Sequence, residues 1–508
     1  MQPWDDILAT AVIGTEQREL KLAARGDELG SLLGQIEQTD REGSLLSAAS
    51  VVALYRTAGA APPAATQPLP EACIQDETRR ASAASGQQLA LMLDGEFSEI
   101  LTEWLVAMNK AHKRVPEEHL PALLDRGQAE TSLRRMIVSV IGRRGEWLAA
   151  QNPDWLYATQ RDEKELWETG SREERLLLLE HLRATDPAKA RELLATTWAQ
   201  ESARDRVAFL GKLADAADEV FLNEALHDRS VEVRRAARPL LASLPNSDFS
   251  RRLQELAKQV LSYKKPLIGK ARIEVTLPED PVAWLKANNI EIDSPPSKAT
   301  QSVGPKAWAL KELISLIPVA HWSKLWQKTP LEIIRAGDES EWRESFVLGF
   351  VAAARRDRDP DWIEALVRFT SADPQHPPLL DLAAYLPAAR LEALIMAALA
   401  AEPAASSAFQ VLMLHRNAWS DQLSRVVLSN IKKRISGGTD NVVDWQIKAA
   451  LKQSARYVSP ALYDELASDW PTESESWSAW SKHTHAFQSL LAFRRDMHRA
   501  ISEREQNS

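Results

Sequence analysis

The fold of this chain is predicted from residues 202–244, which read SARDRVAFLGKLADAADEVFLNEALHDRSVEVRRAARPLLASL. Apolar residues recur here at the short steps that place them on one face of a helix: Leu222, Ala225, Leu226, Val231, Val233, Ala237 and Leu241. Asp228 and Ser230 stand between the two apolar runs and are typical of a turn that starts a helix. The stretch therefore predicts a pair of short helices, which must stack on neighbouring pairs to bury their apolar faces.

The same pattern occurs three times between residues 171 and 262. Each copy has a serine at its start, an arginine in the first helical turn and a leucine further along: Ser171, Arg175 and Leu182; Ser202, Arg206 and Leu213; Ser230, Arg234 and Leu241. The starts are 31 and 28 residues apart, which is the length of one helical hairpin with its turns. This is the signature of a HEAT repeat. We therefore predict an all-α protein, a HEAT-like α-solenoid.

The chain divides into five predicted segments. Residues 1–57 have helical spacing, and residues 58–86 are an Ala/Pro-rich linker, because prolines block helix in its first half. Residues 87–263 hold the HEAT-like helical repeats. In residues 264–305 an alternating run predicts a strand, so a short β-hairpin or an irregular insertion is expected near 266–305. Helical spacing returns in residues 306–508, which we predict to be C-terminal helical repeats.

The bulk composition excludes several classes of protein. The 508 residues are 44% apolar and 26% charged, as in ordinary globular proteins. The net charge of -9 disfavours a uniformly basic nucleic-acid binder. Cys73 is the single cysteine, so the chain has no disulfide framework and no cysteine-rich zinc site. The sequence shows no signal peptide and no run near the roughly 18 apolar residues of a membrane helix, so a cytoplasmic location is expected.

Motifs for catalysis or cofactor binding are missing from the sequence. It has no phosphate-binding loop, no dinucleotide-binding glycine pattern, and no zinc-protease or serine-hydrolase motif. His483 and His485 are two residues apart, so on a helix they point to different faces. Residues 357–368 lack the glycine and the final glutamate of a calcium loop. We therefore predict a protein without enzymatic activity, cofactor or metal.

Two groups of side chains are candidates for an interaction surface: Arg175, Arg206, Arg234 and Arg235 in the repeats, and Trp155 and Trp362 at helix starts. The arginines have a structural alternative, because Asp228 and Arg234 have the spacing of a ladder that bridges neighbouring repeats. The tryptophans have one too, since aromatic rings fill wedges between stacked helices. The functional interpretation of both groups is contact with a ligand or a protein partner.

Segments spread over nearly the whole chain resemble those of an uncharacterised bacterial family of HEAT-like proteins. They include LPALLDRG at residues 120–127, GRRGEWLAAQNPDW at 142–155, HDRSVEVRRAARPLLASLP at 227–245 and IGKARIEVTLPE at 268–279. The resemblance implies a cytoplasmic helical-repeat protein with no assigned activity and no catalytic residues. Members of that family are encoded beside a MoxR-type AAA+ ATPase, a von Willebrand A-domain protein and a SWIM zinc-finger protein.

Pattern and resemblance together predict a non-enzymatic scaffold or adaptor that presents a concave helical surface to protein partners. The resemblance implies the MoxR-type ATPase and the A-domain protein as those partners. The alternative is a nucleic-acid-binding protein, because HEAT-like alkylpurine DNA glycosylases resemble this architecture and use Trp, Asp and Arg on a concave face. The third hypothesis is a hydrolase or another enzyme whose Asp, Glu and His residues converge only in three dimensions.

Overall fold

The computed structural model describes residues 3–22, 26–58, 70–159, 163–213, 215–244, 246–288, 290, 292, 304–372, 379–402, 406–437 and 444–503. These residues are predominantly helical and include two small two-stranded sheets, so the predicted all-α class is confirmed. The chain divides into two compact units, Met1–Ala72 and Cys73–Ser508.

The described residues of the first unit form three helices around a small apolar core. They are α1 (Pro3–Ile13), α2 (Glu28–Gly34) and α3 (Arg41–Ala58). The core consists of Ile7, Leu29, Leu33, Ala48 and Val52. Asp27 starts α2, because its carboxylate accepts a hydrogen bond from the N–H of Gly30, which has no partner within the helix.

The second unit has regular structure within the segment predicted as a linker. Strand β1 (Arg79–Arg80) pairs in parallel with β2 (Lys113–Arg114), and helices α4 (Ala83–Leu93) and α5 (Leu101–Lys110) lie between them in the sequence. Ser82 caps α4 by accepting the N–H of Ser85. Residues 59–69 lie outside the described part of the chain. The prolines end at Pro70, so nothing opposes regular structure in the last third of the predicted linker.

Between β2 and the second sheet, the described residues form ten further helices. They are α6 (Leu120–Ala129), α7 (Arg134–Val138), α8 (Gly142–Ala149), α9 (Glu163–Thr169), α10 (Arg172–Thr185), α11 (Pro187–Thr197), α12 (Ala203–Leu210), α13 (Glu219–Ala225), α14 (Val231–Ser243) and α15 (Asp248–Val260). A 3-10 turn at Pro153–Ala158 separates α8 from α9. Contacts join α10 to α12, α12 to α14 and α14 to α15, so these helices stack in sequence order.

The three repeated serines all stand at helix starts. Ser171 and Glu174 form a capping box in which each side chain accepts the backbone N–H of the other. Ser202 caps α12. Ser230 starts α14 without a side-chain cap, and its N–H instead donates to the Asp228 carboxylate at 2.8 Å. The aspartate thus holds the turn where the serine hydroxyl does not.

The β-hairpin starts earlier than the sequence predicts. Strand β3 (Leu261–Lys264) follows α15 directly and pairs antiparallel with β4 (Arg272–Val275). The alternation in residues 271–277 predicts the second strand, whereas the first strand has no clear alternation and reads as the end of a helix. The predicted insertion at 264–305 also contains a helix, α16 (Pro281–Ala287), started by a cap from Asp280.

The remaining helices continue the second unit. They are α17 (Pro305–Leu316), α18 (Val319–Trp326), α19 (Pro330–Asp338), α20 (Arg343–Asp357), α21 (Pro360–Ala372), α22 (Ala388–Ala401), α23 (Ser406–Leu412), α24 (Asp421–Ser436), α25 (Asp444–Tyr457), α26 (Tyr463–Leu466) and α27 (Trp477–Ser502). One apolar core extends from Ala81 to Ile501. Among the described residues, no helix has both the length and the apolar character needed to cross a bilayer.

The last helix returns to the start of the second unit. Helix α27 packs against α4 and α5 as well as against α25. The rings of Phe97 and Phe493 stack with their centroids 4.3 Å apart. Arg494 donates two hydrogen bonds to the Glu103 carboxylate, and Lys113 donates to two backbone carbonyls at the end of α27. The succession of helix contacts therefore closes on itself, whereas an open solenoid leaves its two ends apart.

Candidate interaction surface

Two of the repeated arginines, Arg175 and Arg206, make ion pairs between successive helix pairs. Arg175 on α10 pairs with Glu201, which stands just before α12. Its guanidinium lies 4.4 Å from the centroid of the Trp167 ring and 4.9 Å from that of the Phe209 ring. Because both the charge and the flat face of Arg175 are occupied, this side chain connects repeats and offers little to a partner.

The next arginine repeats this connection one helix pair further on. Arg206 is 2% exposed, and it donates to the backbone carbonyl of Glu201 at 2.8 Å and to the Asp228 carboxylate at 3.1 Å. Arg234 donates to the backbone carbonyl of Asp228 at 2.9 Å. The sequence predicts a ladder in which Asp228 pairs with Arg234. In the structure the Asp228 carboxylate pairs instead with Arg206, the arginine of the preceding repeat.

The other predicted interaction residues lie in different surroundings. Arg235 is exposed on α14. The half-buried Trp155 donates from its ring nitrogen to the Asp125 carboxylate at 2.8 Å. Trp362 is 1% exposed and packs against Phe350, with ring centroids 5.1 Å apart. Because its ring is buried, Trp362 cannot belong to an interaction surface of this structure, and its structural alternative, a wedge between helices, applies.

The Tyr157 ring packs against the quoted segment at residues 120–127. The Tyr157 hydroxyl donates to the backbone carbonyl of Leu124 at 2.9 Å, which joins the 3-10 turn to α6. A Cβ atom at Gly127 would lie 2.1 Å from this hydroxyl, so the ring fits only because residue 127 has no side chain. Burial raises the pKa of Tyr157 to about 12, against the opposing effect of the nearby Arg134.

Arg134 connects this cluster to the first repeat. Its Nε donates to the backbone carbonyl of Gly127 at 3.0 Å, and its guanidinium lies 4.7 Å from the centroid of the Tyr157 ring. One of its terminal nitrogens is 3.8 Å from the Glu174 carboxylate at the start of α10. The arginine thus holds α7, the 3-10 turn and α10 in a fixed arrangement.

An open groove of about 520 Å³ lies between these three elements, and residues of α8 and α9 complete its lining. Five aliphatic side chains contribute to its apolar lining: Val138, Ala158, Leu166, Leu177 and Leu178. Val138 and Leu177 each keep 36% of their surface exposed. A concave site of this size, with an apolar lining and a few polar groups, has the usual form of a binding site.

The charged residues of the groove differ in whether they have partners. Glu174 accepts the N–H of Ser171 and is near Arg134, and Glu146 also has a partner. Arg135 and His181 are exposed at the groove, and neither makes an ion pair within the described ranges. The groove therefore combines an apolar lining with an uncompensated positive charge on Arg135.

A family model matches the chain over nearly its whole length. The model of a family of unknown function, DUF5691, matches residues 6–501. The chain belongs to this family. The match includes every residue of the groove, and the predicted membership of an uncharacterised family is confirmed. No curated protein and no solved structure matches the chain.

One buried ionisable pair elsewhere in the second unit, His415 and Glu392, has a structural role. His415 is fully buried, and its Nε2 lies 3.2 Å from the Glu392 carboxylate, which also accepts the N–H of Ser420 at 2.8 Å. These contacts fix the start of α24 at Asp421. Across the described residues, no three His, Cys, Asp or Glu side chains are placed to hold a metal ion.

Sequence reasoning did not select the groove residues, although one signal for them was present. Gly127 interrupts an otherwise good helical run, where glycine costs about 1 kcal/mol relative to alanine. A glycine at such a position indicates a close approach by another group, which here is the Tyr157 hydroxyl. The sequence did not predict that Val138 and Leu177 are exposed, because their helical spacing is that of buried apolar residues.

Proposed function

We propose that this protein is a non-enzymatic scaffold or adaptor that binds a protein partner in the groove between α7, the 3-10 turn and α10. The observation that carries the proposal is the composition of the groove. Its lining leaves Val138 and Leu177 open and places beside them a cation, Arg135, that has no ion-pair partner in the part of the chain that the structure describes. Apolar side chains open in a concave site are typical of a surface that a partner covers.

We further propose that α10 to α15 are HEAT-like helix pairs that give the groove a rigid support. The support for this is the ladder in which Arg175 and Arg206 each pair with an acidic residue before the next helix pair. Charge pairs of this kind fix the distance between successive pairs of helices. A rigid support suits an adaptor, because little conformational entropy is lost when the partner binds.

Two ionisable groups of the groove, Tyr157 and Glu174, are engaged in structural contacts. With a pKa of about 12, the Tyr157 hydroxyl stays protonated at neutral pH, and its proton is committed to a backbone carbonyl. The Glu174 carboxylate is held by the N–H of Ser171 in the capping box. A general base needs a free carboxylate or imidazole within reach of a substrate proton, and these two groups do not supply one.

The proposed partners are a MoxR-type AAA+ ATPase and a von Willebrand A-domain protein in the cytoplasm. The resemblance to the HEAT-like family implies them, through the genes that accompany its members. Nucleic acid is the competing partner. It has weaker support, because Arg175 and Arg206 are paired and Arg206 is buried, so neither can reach a phosphate.

Affinity purification of the tagged protein from its native host, with and without ATP, tests this function. Wild type is compared with Val138→Glu and Leu177→Glu, which place a charge in the groove. The controls are Val231→Glu and Leu91→Glu, whose parent side chains are 45% and 39% exposed but lie outside the groove. Mass spectrometry should identify a protein partner in the wild-type and control samples and not in the groove variants.

Two results would contradict the proposal. A partner recovered equally with the groove variants and the wild type would show that the groove is not the binding surface. Nucleic acid recovered without protein would favour the competing function, and gel-shift assays at low salt would then replace the purification.

A further inference from the structure

We infer that the groove binds a short peptide segment of its partner in which an apolar side chain is flanked by acidic residues. This inference rests on the proposed function and specifies the chemistry of the partner. Its basis is a contrast between the charged side chains of the groove. Glu174 and Glu146 already have partners, whereas Arg135 has no ion-pair partner among the described residues.

The size of the groove favours a peptide segment over a folded surface. Its volume of about 520 Å³ is that of a pocket for a small ligand or a few side chains. A folded partner that docks through a broad surface needs far more contact area than one such groove supplies. An extended or helical segment can instead place one or two apolar side chains against Val138 and Leu177 and leave its other residues at the entrance.

The charges select an acidic segment over a basic one. Arg135 has no ion-pair partner among the described residues, whereas Glu174 and Glu146 both have partners. A carboxylate beside Arg135 would gain a bidentate partner, and the neighbouring His181 would not oppose it. A lysine or arginine at the same position would meet a like charge, and no free carboxylate of the groove would compensate it.

The same features disfavour a nucleic-acid strand. A phosphate backbone needs several cations along its path, and the groove offers one arginine without a partner. The aliphatic side chains Val138 and Leu177 provide no flat face on which a base could stack. The carboxylates of Glu146 and Glu174 would also lie close to the phosphates and repel them.

A displayed library of random peptides, selected against the intact protein, tests the inference. Selection in the presence of excess Val138→Glu protein as a soluble competitor retains only peptides that need the groove. We expect the retained peptides to share a Leu, Ile or Phe with Asp or Glu beside it. Replacing those acidic residues by lysine should weaken binding by about tenfold or more in fluorescence anisotropy.

A charge exchange gives the sharper test. Arg135→Glu should weaken binding of the acidic peptide by about tenfold and strengthen binding of the peptide in which lysine replaces the acidic residues. Arg204→Glu is the matched control, because Arg204 is exposed on α12, makes no ion pair within the described ranges and lies outside the groove. Circular dichroism and melting curves of both variants should match those of the wild type, since neither arginine supports the fold.

The outcomes separate this inference from the proposed function. Retained peptides that are basic or uncharged, no retained peptides at all, or an affinity unchanged by Arg135→Glu would overturn the inference. If the native partner is lost with Val138→Glu but kept with Arg135→Glu, the groove is a binding site and only its acidic preference is wrong. If both variants keep the partner, the proposed function fails as well.

Discussion

Replacing Arg494 by alanine should loosen the contact that closes the second unit. The side chain is 5% exposed, and its Nε and Nη2 donate to the two oxygens of Glu103 at 2.6 and 2.9 Å. Its Nη1 donates to the backbone carbonyls of Ala455 and Val458 at 2.8 and 2.6 Å. These carbonyls end α25, where no helical N–H can reach them. Arg494 therefore ties α27 to both α5 and α25.

The expected cost follows from the groups that the substitution leaves behind. Removing one partner of a buried ion pair costs about 3–5 kcal/mol, and a buried carbonyl without a donor contributes about 1–3 kcal/mol to such a loss. Glu103 keeps a hydrogen bond from His498 at 2.7 Å and is 26% exposed, so water can replace part of the loss. We expect about 3 kcal/mol, which lowers the melting temperature of a unit of this size by about 3 °C.

Scanning calorimetry combined with hydrogen exchange measures this effect and its location. Exchange should accelerate in α4, α5 and α27, while α10 to α15 stay protected. Arg495→Ala is the matched control on the same helix. Arg495 pairs with the exposed Asp496 and Asp464 and lies 4.1 Å from the centroid of the Tyr463 ring, and such exposed contacts should together cost about 1 kcal/mol. Equal melting temperatures for the two variants, or faster exchange spread evenly over the unit, would refute the reasoning.

Three further predictions concern particular contacts. Gly127→Ala should destabilise the protein by about 1–3 kcal/mol, although alanine favours helix, because the new methyl group would collide with the Tyr157 hydroxyl. Adding Tyr157→Phe should recover part of that loss, and chemical denaturation of the single and double variants measures both effects. Burial would raise the pKa of Glu117, but hydrogen bonds from its own backbone N–H and from arginines lower it from 4.5 to about 2. Its stabilisation should therefore be complete above pH 4.5 and disappear as the pH falls towards 2, so melting curves of wild type and Glu117→Gln should converge on acidification. Arg206→Ala should cost about 3 kcal/mol in denaturant titrations and Arg235→Ala less than about 1 kcal/mol, and equal costs would contradict the structural role of the ladder.

Several local features were predictable from the sequence. The starts of α10 and α12 follow from Ser171 and Ser202, because a cap needs only groups within three residues of each other. Strand β4 follows from its alternation. The partner strand β3 was missed, since Leu261 to Lys264 continues directly from a helix and has no pattern of its own.

The repeated arginines show where prediction from the sequence ends. Their recurrence indicates a ladder, but the acidic partner of Arg175 is Glu201, which precedes the next repeat and carries no repeat signal of its own. The sequence instead suggests that Asp228 pairs with Arg234, while the fold gives the Asp228 carboxylate to Arg206. The choice depends on the rotation of each helix about its axis, which sequence spacing does not specify.

The sequence by itself determined the all-α class, the starts of α10 and α12 and the family of the chain, because each depends on short-range spacing or on the string of residues itself. The tertiary structure alone decided which apolar faces are covered. It pairs Glu103 with Arg494 across 391 residues, and it leaves Val138 and Leu177 open in a groove although their spacing is that of core residues. Helical periodicity shows that a face is apolar, but only the packing of distant helices shows whether another helix or a partner covers it.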